Sequence, residues 1–333
     1  MKKEVFFLLD FGGKFGYGHL SRCTNLAESF LKEKYKINLL LSDHSIEYKG
    51  NVFVKKWIDI YRPNIYIIKN IFSKRKIEIK SVSEEINNIV KDNILIIDHY
   101  YLSQELFNQV KKPFSIIQLK DNIYDMDLVK VDNNRNKIVY FLPKELLSRD
   151  LIENPNIFCG IDLVPTFPSK IKLSYPAEFS SSNLNILFTP GSAENDLTNR
   201  IEERIKKFSS LGNIKFYCPN HQIRTNKNLN KINGDRGLLN YIYFSSLVIT
   251  AAGNTMLESL KLEIPTISYC TNRNQLALAE YFNNINKTYL IENSDFINFK
   301  NISRISRQSI PLKTKLFTKK TNYKKLIMII NDL

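Results

Sequence analysis

The sequence predicts an α/β protein made of two halves, each a mostly parallel sheet with crossover helices. Three observations carry this prediction. Short apolar, β-rich runs alternate with amphipathic stretches of helical length along most of the chain. A segment with three prolines and a serine run, LVPTFPSKIKLSYPAEFSSSN at 163–183, interrupts that alternation near the middle. At 333 residues the chain is long enough for two domains, each with its own core.

In the first half, strands are expected over 5–9, 37–41, 65–68, 94–97, 115–119 and 128–131, with a further short run at 157–159. A helix over about 19–34 has Leu20, Cys23, Leu26, Ala27, Phe30 and Leu31 on one face. In the second half, strands are expected over 184–189, 214–218, 247–250 and 266–269. Helices are expected over 195–210, 238–244, 255–262 and 275–282, a polar loop over 220–233, and a last helix over 322–331. The domain boundaries are read as 1–165 and 180–333. Two Rossmann-like halves of this kind are expected to face each other across a cleft, because such sheets bind ligands at the carboxyl ends of their strands.

Composition narrows the function classes. Hydrophobic content of 43% places the chain among folded proteins and not disordered ones. No apolar run approaches the roughly 20 residues that span a bilayer, so no stable membrane insertion is expected. The start, MKKEVFFLLDFGG, has a short apolar run ending in Asp10 and no small-residue cleavage site; it reads as a buried strand of a cytoplasmic protein. Cys23, Cys159, Cys218 and Cys270 form no CxxC pair, which argues against a zinc site and a disulfide framework. A net charge of +15 is compatible with nucleic acid, an anionic membrane or a phosphorylated small molecule. The lysines are spread along the chain, with only a loose cluster at 313–325, so they read as solvated surface and no nucleic-acid partner is expected.

Four stretches carry candidate chemistry. The first, DFGGKFGYGHLSR at 10–22, is a glycine-rich loop between a strand and a helix. Its glycines allow close backbone approach to a ligand, and the helix start favours an anion. His19 at the junction suits a general base near neutral pH, against the plain alternative of a loop histidine bonded to backbone. The spacing of Gly13, Gly16 and Gly18 is not GxGxxG, which disfavours a dinucleotide. The second, LIIDHYY at 95–101, puts Asp98, His99 and Tyr100 at a strand end; Tyr100 is a candidate to share a pocket with His19, while Asp98 and His99 read equally well as a structural turn. The third contains Asp125-Met-Asp127, similar to a DxD metal motif but read as a turn or helix cap, so neither a metal nor a cofactor is expected. The fourth, SLVITAAGNTMLESLKLEIPTISYCTNRNQ at 246–275, runs from a strand through small residues into a helix. Asn254 and Thr255 are placed to cap that helix or to donate to a diphosphate, and Glu258 lies one turn inside, in position to accept from ribose hydroxyls.

Taken together, GYGHLSRCTNLAES, IIDHYYL, DMDLVKVDNN, AAGNTMLESLKLEIPTIS and the NQ pair resemble, in order and spacing, the UDP-sugar hydrolases of pseudaminic acid biosynthesis. These belong to a GT-B glycosyltransferase-like superfamily and serve bacterial surface polysaccharides. The resemblance spans about residues 9–290 and its C-terminal half is also similar to the peptidoglycan N-acetylglucosaminyltransferase that acts on lipid I. It implies His19 as the residue that activates water, Gly18 and Arg22 as its substrate-binding loop, and Tyr100 as an active-site tyrosine. It implies Ala252, Gly253, Asn254, Thr255 and Glu258 as the uridine-diphosphate site, with Asn274 and Gln275 near the sugar and phosphates. The sequence departs from the family at Pro190, which replaces a glycine, at Lys120-Asp121, which replaces paired aspartates, and after Gly160. The resemblance implies an inverting, metal-independent hydrolase that releases UDP from a UDP-linked diacetamido-trideoxy sugar. A glycosyltransferase with a UDP-sugar donor is the alternative, and a non-catalytic nucleotide-sugar-binding protein is disfavoured by His19. The sequence leaves the oligomeric state open.

Overall fold

The computed structural model describes residues 3–9, 18–42, 59, 62–69, 71, 75–99, 102, 104–111, 113, 115–121, 136–165, 173–191, 195–208, 213–219, 229–232, 238–307 and 323–331. The chain divides into two compact units, Met1–Ser169 together with Lys320–Leu333, and Lys170–Lys319.

The first unit runs β1 (Glu4–Leu9), α1 (Gly18–Lys32), β2 (Lys36–Ser42), β3 (Asn64–Ile68), α2 (Lys76–Val90), β4 (Ile94–Asp98), α3 (Gln104–Gln109), β5 (Ser115–Lys120), β6 (Asn136–Tyr140), α4 (Arg149–Glu153) and β7 (Ile157–Cys159). Among the described residues these strands form one parallel sheet in the order β3-β2-β1-β4-β5-β6-β7. Strand β1 is apolar on both faces, as a central parallel strand covered on both sides must be. Phe6 and Leu8 join Leu95, Ile97 and the α2 residues Ile79, Val82 and Ile86 on one face. On the other, Phe7 meets Phe30 of α1 edge to face, with ring centroids 6.1 Å apart. Strand order reverses between β1 and β4, and Leu9 there is in register with Asp98. That reversal is the position at which an open α/β sheet opens a crevice.

The second unit runs β8 (Leu184–Thr189), α5 (Asp196–Phe208), β9 (Ile214–Pro219), β10 (Asn230–Ile232), α6 (Leu239–Phe244), β11 (Leu247–Ala251), α7 (Asn254–Lys261), β12 (Thr266–Tyr269), α8 (Leu276–Asn284), β13 (Tyr289–Leu290) and α9 (Phe299–Ser306). Its described strands form a parallel sheet in the order β10-β9-β8-β11-β12-β13, reversing between β8 and β11. Ile186, Phe188, Ile249 and Ile267 pack against Ile201 and Ile205 of α5 and Ile302 and Ile305 of α9. Leu187 and Val248, on the other face, pack with Tyr241 and Ile242 of α6.

The last helix, α10 (Tyr323–Asn331), belongs to the first unit, whereas the expected boundary of 180–333 gave it to the second. Lys137 of β6, only 6% exposed, donates from Nζ to the Ile329 carbonyl at 2.6 Å and lies 5.6 Å from the Phe158 ring centroid. That long-range bond explains why β6 was not expected: its Asn136-Lys137 start is polar by sequence, and Lys137 is buried with its ammonium on an α10 carbonyl. The expected strand at 128–131 lies outside the described residues. Strand β10 occupies part of the expected 220–233 loop; it is polar in sequence and pairs through its backbone with β9 at the sheet edge. Leu31, expected on the buried face of α1, is 44% exposed at the end of the helix.

Candidate functional site

The carboxyl edge of the first sheet carries a buried charged cluster. His19, Arg22 and Cys23 stand three and four residues apart at the start of α1, hence on one face of the helix. That face meets Asp98 at the end of β4 and Asp121 just beyond β5. His19 is 4% exposed, and its Nδ1 lies 2.5 Å from Asp98 Oδ1. Arg22 grips Asp98 with two nitrogens: Nε donates to Oδ2 at 2.5 Å and Nη2 to Oδ1. Its third nitrogen, Nη1, donates to Asp121 Oδ2 at 2.5 Å. The guanidinium carbon sits 5.5 Å from the Phe141 ring centroid.

Burial by itself would raise the pKa of Asp98, but the Arg22 guanidinium and then the His19 ring outweigh it and hold the carboxyl well below the usual carboxylate range. An ionised Asp98 accepts, so Nδ1 of His19 carries the hydrogen of that contact and the neutral ring keeps its lone pair on Nε2. Arg22 Nη2 also lies 3.2 Å from Nδ1, but a protonated Nδ1 cannot accept from it. Cys23 Sγ donates to Asp98 Oδ2 at 3.3 Å. Burial, reinforced by Asp98, raises that thiol well above its ordinary pKa, which removes it as a nucleophile.

The structure therefore joins His19 and Arg22 to two aspartates that the sequence reading weighted lightly. Arg22, expected to bind substrate, is 2% exposed and spends three nitrogens on carboxylates. Gly18 is the first residue of α1 and is half-buried. Tyr100, the loop glycines Gly12, Gly13 and Gly16, and the Asp125–Asp127 pair lie outside the described residues. His99, also buried, follows directly after β4.

The carboxyl edge of the second sheet is of another kind. The Thr189 hydroxyl donates to Thr250 Oγ1 at 2.7 Å, joining the ends of β8 and β11. Pro190 keeps a use for its one backbone polar group, since its carbonyl accepts from the Tyr269 hydroxyl at 3.3 Å. Gly191 follows with φ +82°, and a Cβ there would stand 3.2 Å from Ala251 Cβ, so the turn requires glycine. Beyond β11, Ala252 donates its N–H to the Tyr269 carbonyl at 2.8 Å. Gly253 precedes α7 with open space around its Cβ position, and Asn254 and Thr255 form the first turn. A helix start with small residues before it presents backbone N–H groups and positive dipole to an anion.

Glu258 lies one turn in. Burial pushes its pKa up to about 8, with Lys261 offsetting only part of the effect. Gln275 Oε1 accepts from the Thr271 N–H at 2.8 Å and from its hydroxyl at 3.1 Å, bracing the loop after β12. Asn274 is in the short 3₁₀ turn Arg273–Gln275 that precedes α8. Thus Ala252 to Glu258 and Asn274-Gln275 all fall just past the strand ends of one sheet, within one unit.

No protein-family model matches this chain, and no curated protein matches its sequence. Solved structures do. The chain is similar to MurG of Acinetobacter baumannii at 12% identity and a TM-score of 0.64, covering 99% of this chain and 100% of that one. It is similar to a protein assigned as a UDP-N-acetylglucosamine 2-epimerase from Listeria monocytogenes at 13% identity and a TM-score of 0.62, covering 100% and 98%. It is also similar to the spinosyn rhamnosyltransferase SpnG, solved with thymidine diphosphate, at 9% identity and a TM-score of 0.54, covering 91% and 90%. At such identities the likeness establishes the fold: two parallel-sheet α/β domains of the GT-B glycosyltransferase type.

Proposed function

We propose that this protein is a nucleotide-sugar enzyme in which His19 removes a proton from the attacking hydroxyl. The observation that carries the reading is the buried contact of His19 Nδ1 with Asp98 at 2.5 Å, which leaves Nε2 as the basic nitrogen. In the leading reading the hydroxyl is water. Nε2 takes its proton, the oxygen attacks the anomeric carbon from the face opposite the leaving group, and the bond to the β-phosphate oxygen breaks. UDP leaves with the electron pair, and the sugar is released with inverted configuration. Asp98 stabilises the imidazolium that forms. The start of α7, with Gly253, Asn254 and Thr255, holds the diphosphate and stabilises the charge that develops on it. Glu258, largely protonated at neutral pH, is able both to donate to and to accept from a ribose hydroxyl.

The choice of water, and of a UDP-linked diacetamido-trideoxy sugar, is supported by the resemblance of GYGHLSR and AAGNTMLES to the hydrolases of pseudaminic acid biosynthesis. A second reading, transfer of the sugar to an acceptor hydroxyl, is favoured by glycosyltransferases such as SpnG among the structural neighbours. One experiment separates them: a panel of UDP-sugars incubated with the pure protein in ¹⁸O-water, with and without acceptors. Hydrolysis puts the label in the free sugar and none in UDP. Label in UDP means attack at phosphorus and refutes the mechanism; turnover only with an acceptor establishes the transferase. Turnover unchanged by EDTA is expected, and restoration by magnesium or manganese after its loss would implicate the Asp125–Asp127 pair.

A further inference from the structure

We infer that Arg22 and Asp121 are positioning residues that, with Asp98, fix the tautomer of His19, and that Arg22 does not bind substrate. The inference rests on the reading of His19 as the base. A histidine base needs one carboxylate at its far nitrogen, yet this cluster holds two, joined by a single guanidinium.

The fork geometry explains the first part. With Nε and Nη2 of Arg22 on its two oxygens, the Asp98 carboxylate cannot rotate, and Oδ1 stays aimed at Nδ1 of His19. Arg22 is itself held by Nη1 on Asp121 and by its face against Phe141. Lysine has one point charge and could not occupy both oxygens of Asp98 while reaching Asp121.

The second part follows from where the Arg22 nitrogens go. Nε, Nη1 and Nη2 all donate to the carboxylates of Asp98 and Asp121, and the side chain is 2% exposed.

The test reads the histidine directly. The full chain is labelled with ¹⁵N-histidine, and the His19 signals are assigned by their loss in His19→Asn. At high pH the wild-type ring is expected to show the Nδ1–H tautomer. In Asp121→Asn the Nε2–H tautomer is expected to appear beside it, because Arg22 is then held less firmly. This variant is isosteric, and Asp121 is 22% exposed, so the fold is expected to survive. Arg22→Lys loses the fork: kcat is expected to fall about tenfold at constant KM. An Nε2–H tautomer in the wild type, or tautomer populations unmoved in folded Asp121→Asn, overturns the inference. A raised KM at constant kcat in Arg22→Lys overturns it by returning Arg22 to substrate binding. The NMR result needs no substrate, so absence of UDP-sugar turnover would refute the proposed activity and leave the network standing.

Discussion

The two sheet edges both lie where strand order reverses, yet each treats its carboxyl group in the opposite way. At the first, Asp98 is fully buried and remains ionised because Arg22 and His19 outweigh the cost of desolvation. At the second, burial dominates and only Lys261 opposes it, so Glu258 is pushed up to about 8. A guanidinium in bidentate contact makes the difference. The first edge is thereby suited to moving a proton. The second presents hydroxyls, small residues and a helix start, and it keeps a negative charge away from the place where a diphosphate would bind.

The contrast can be broken most severely at His19. His19→Ala is expected to lower turnover by about two to four orders of magnitude while UDP affinity, measured by calorimetry, stays within a factor of two or so, because in the proposed mechanism the base serves only the chemical step. Wild-type turnover in that variant would remove His19 from the chemistry.

Next comes the pairing at the first edge. Arg22→Ala removes the guanidinium shared by two carboxylates and is expected to cost about 3–5 kcal/mol of stability, seen as a lower midpoint in urea. A change below about 1 kcal/mol would mean that water or another cation replaces the guanidinium. Asp98 adds a sign: its folded pKa is depressed, so its stabilisation is complete above the unfolded value and is lost as pH falls below the carboxylate range.

At the second edge the expected loss is in binding. Asn254→Ala and Thr255→Ala should each weaken UDP binding by about 1.5–3 kcal/mol, for each charge-assisted hydrogen bond removed, with the thermal stability of the free protein little changed. Unchanged UDP affinity in the double variant would exclude the start of α7 as the diphosphate site.

The pH dependence of Glu258 sharpens the comparison of the carboxyls. The folded pKa of Glu258 is raised, so between about 4.5 and 8 the folded chain holds a proton that the unfolded chain has released. Stability contributed at this site is therefore present at low pH and is lost as pH rises through that window. Ionisation near pH 8 also places a negative charge beside the proposed diphosphate site, so UDP affinity should fall as pH rises past it. Glu258→Gln should flatten both dependences. A stability curve with the same slope in the variant would show that Glu258 titrates normally.

Local periodicity was enough to locate most of the frame. Strands β1, β2, β4, β5, β8, β11 and β12 fall within a residue or two of the expected runs, because buried apolar residues recur along each of them. Strand β6 was hidden because its buried lysine is satisfied by a carbonyl from the far end of the chain. The candidate site divides in the same way. His19 and Arg22 stand out in GYGHLSR, whereas Asp98 was evenly balanced between function and a turn, and Asp121 showed only as a departure from a family pattern.

What the sequence alone determined is what local covalent geometry controls: alternating strands and helices, the shared helix face of His19, Arg22 and Cys23, and the small residues ahead of Asn254. The tertiary structure decided which carboxylates those residues meet. The partner of His19 lies 79 residues away and the second partner of Arg22 lies 99 residues away, brought in by the strand order β1-β4-β5. It also decided that α10 belongs to the first unit, and that Asp98 is ionised where Glu258 is not. The physical reason is that periodicity belongs to neighbouring residues, while ionisation depends on burial and on charges brought close by distant parts of the chain.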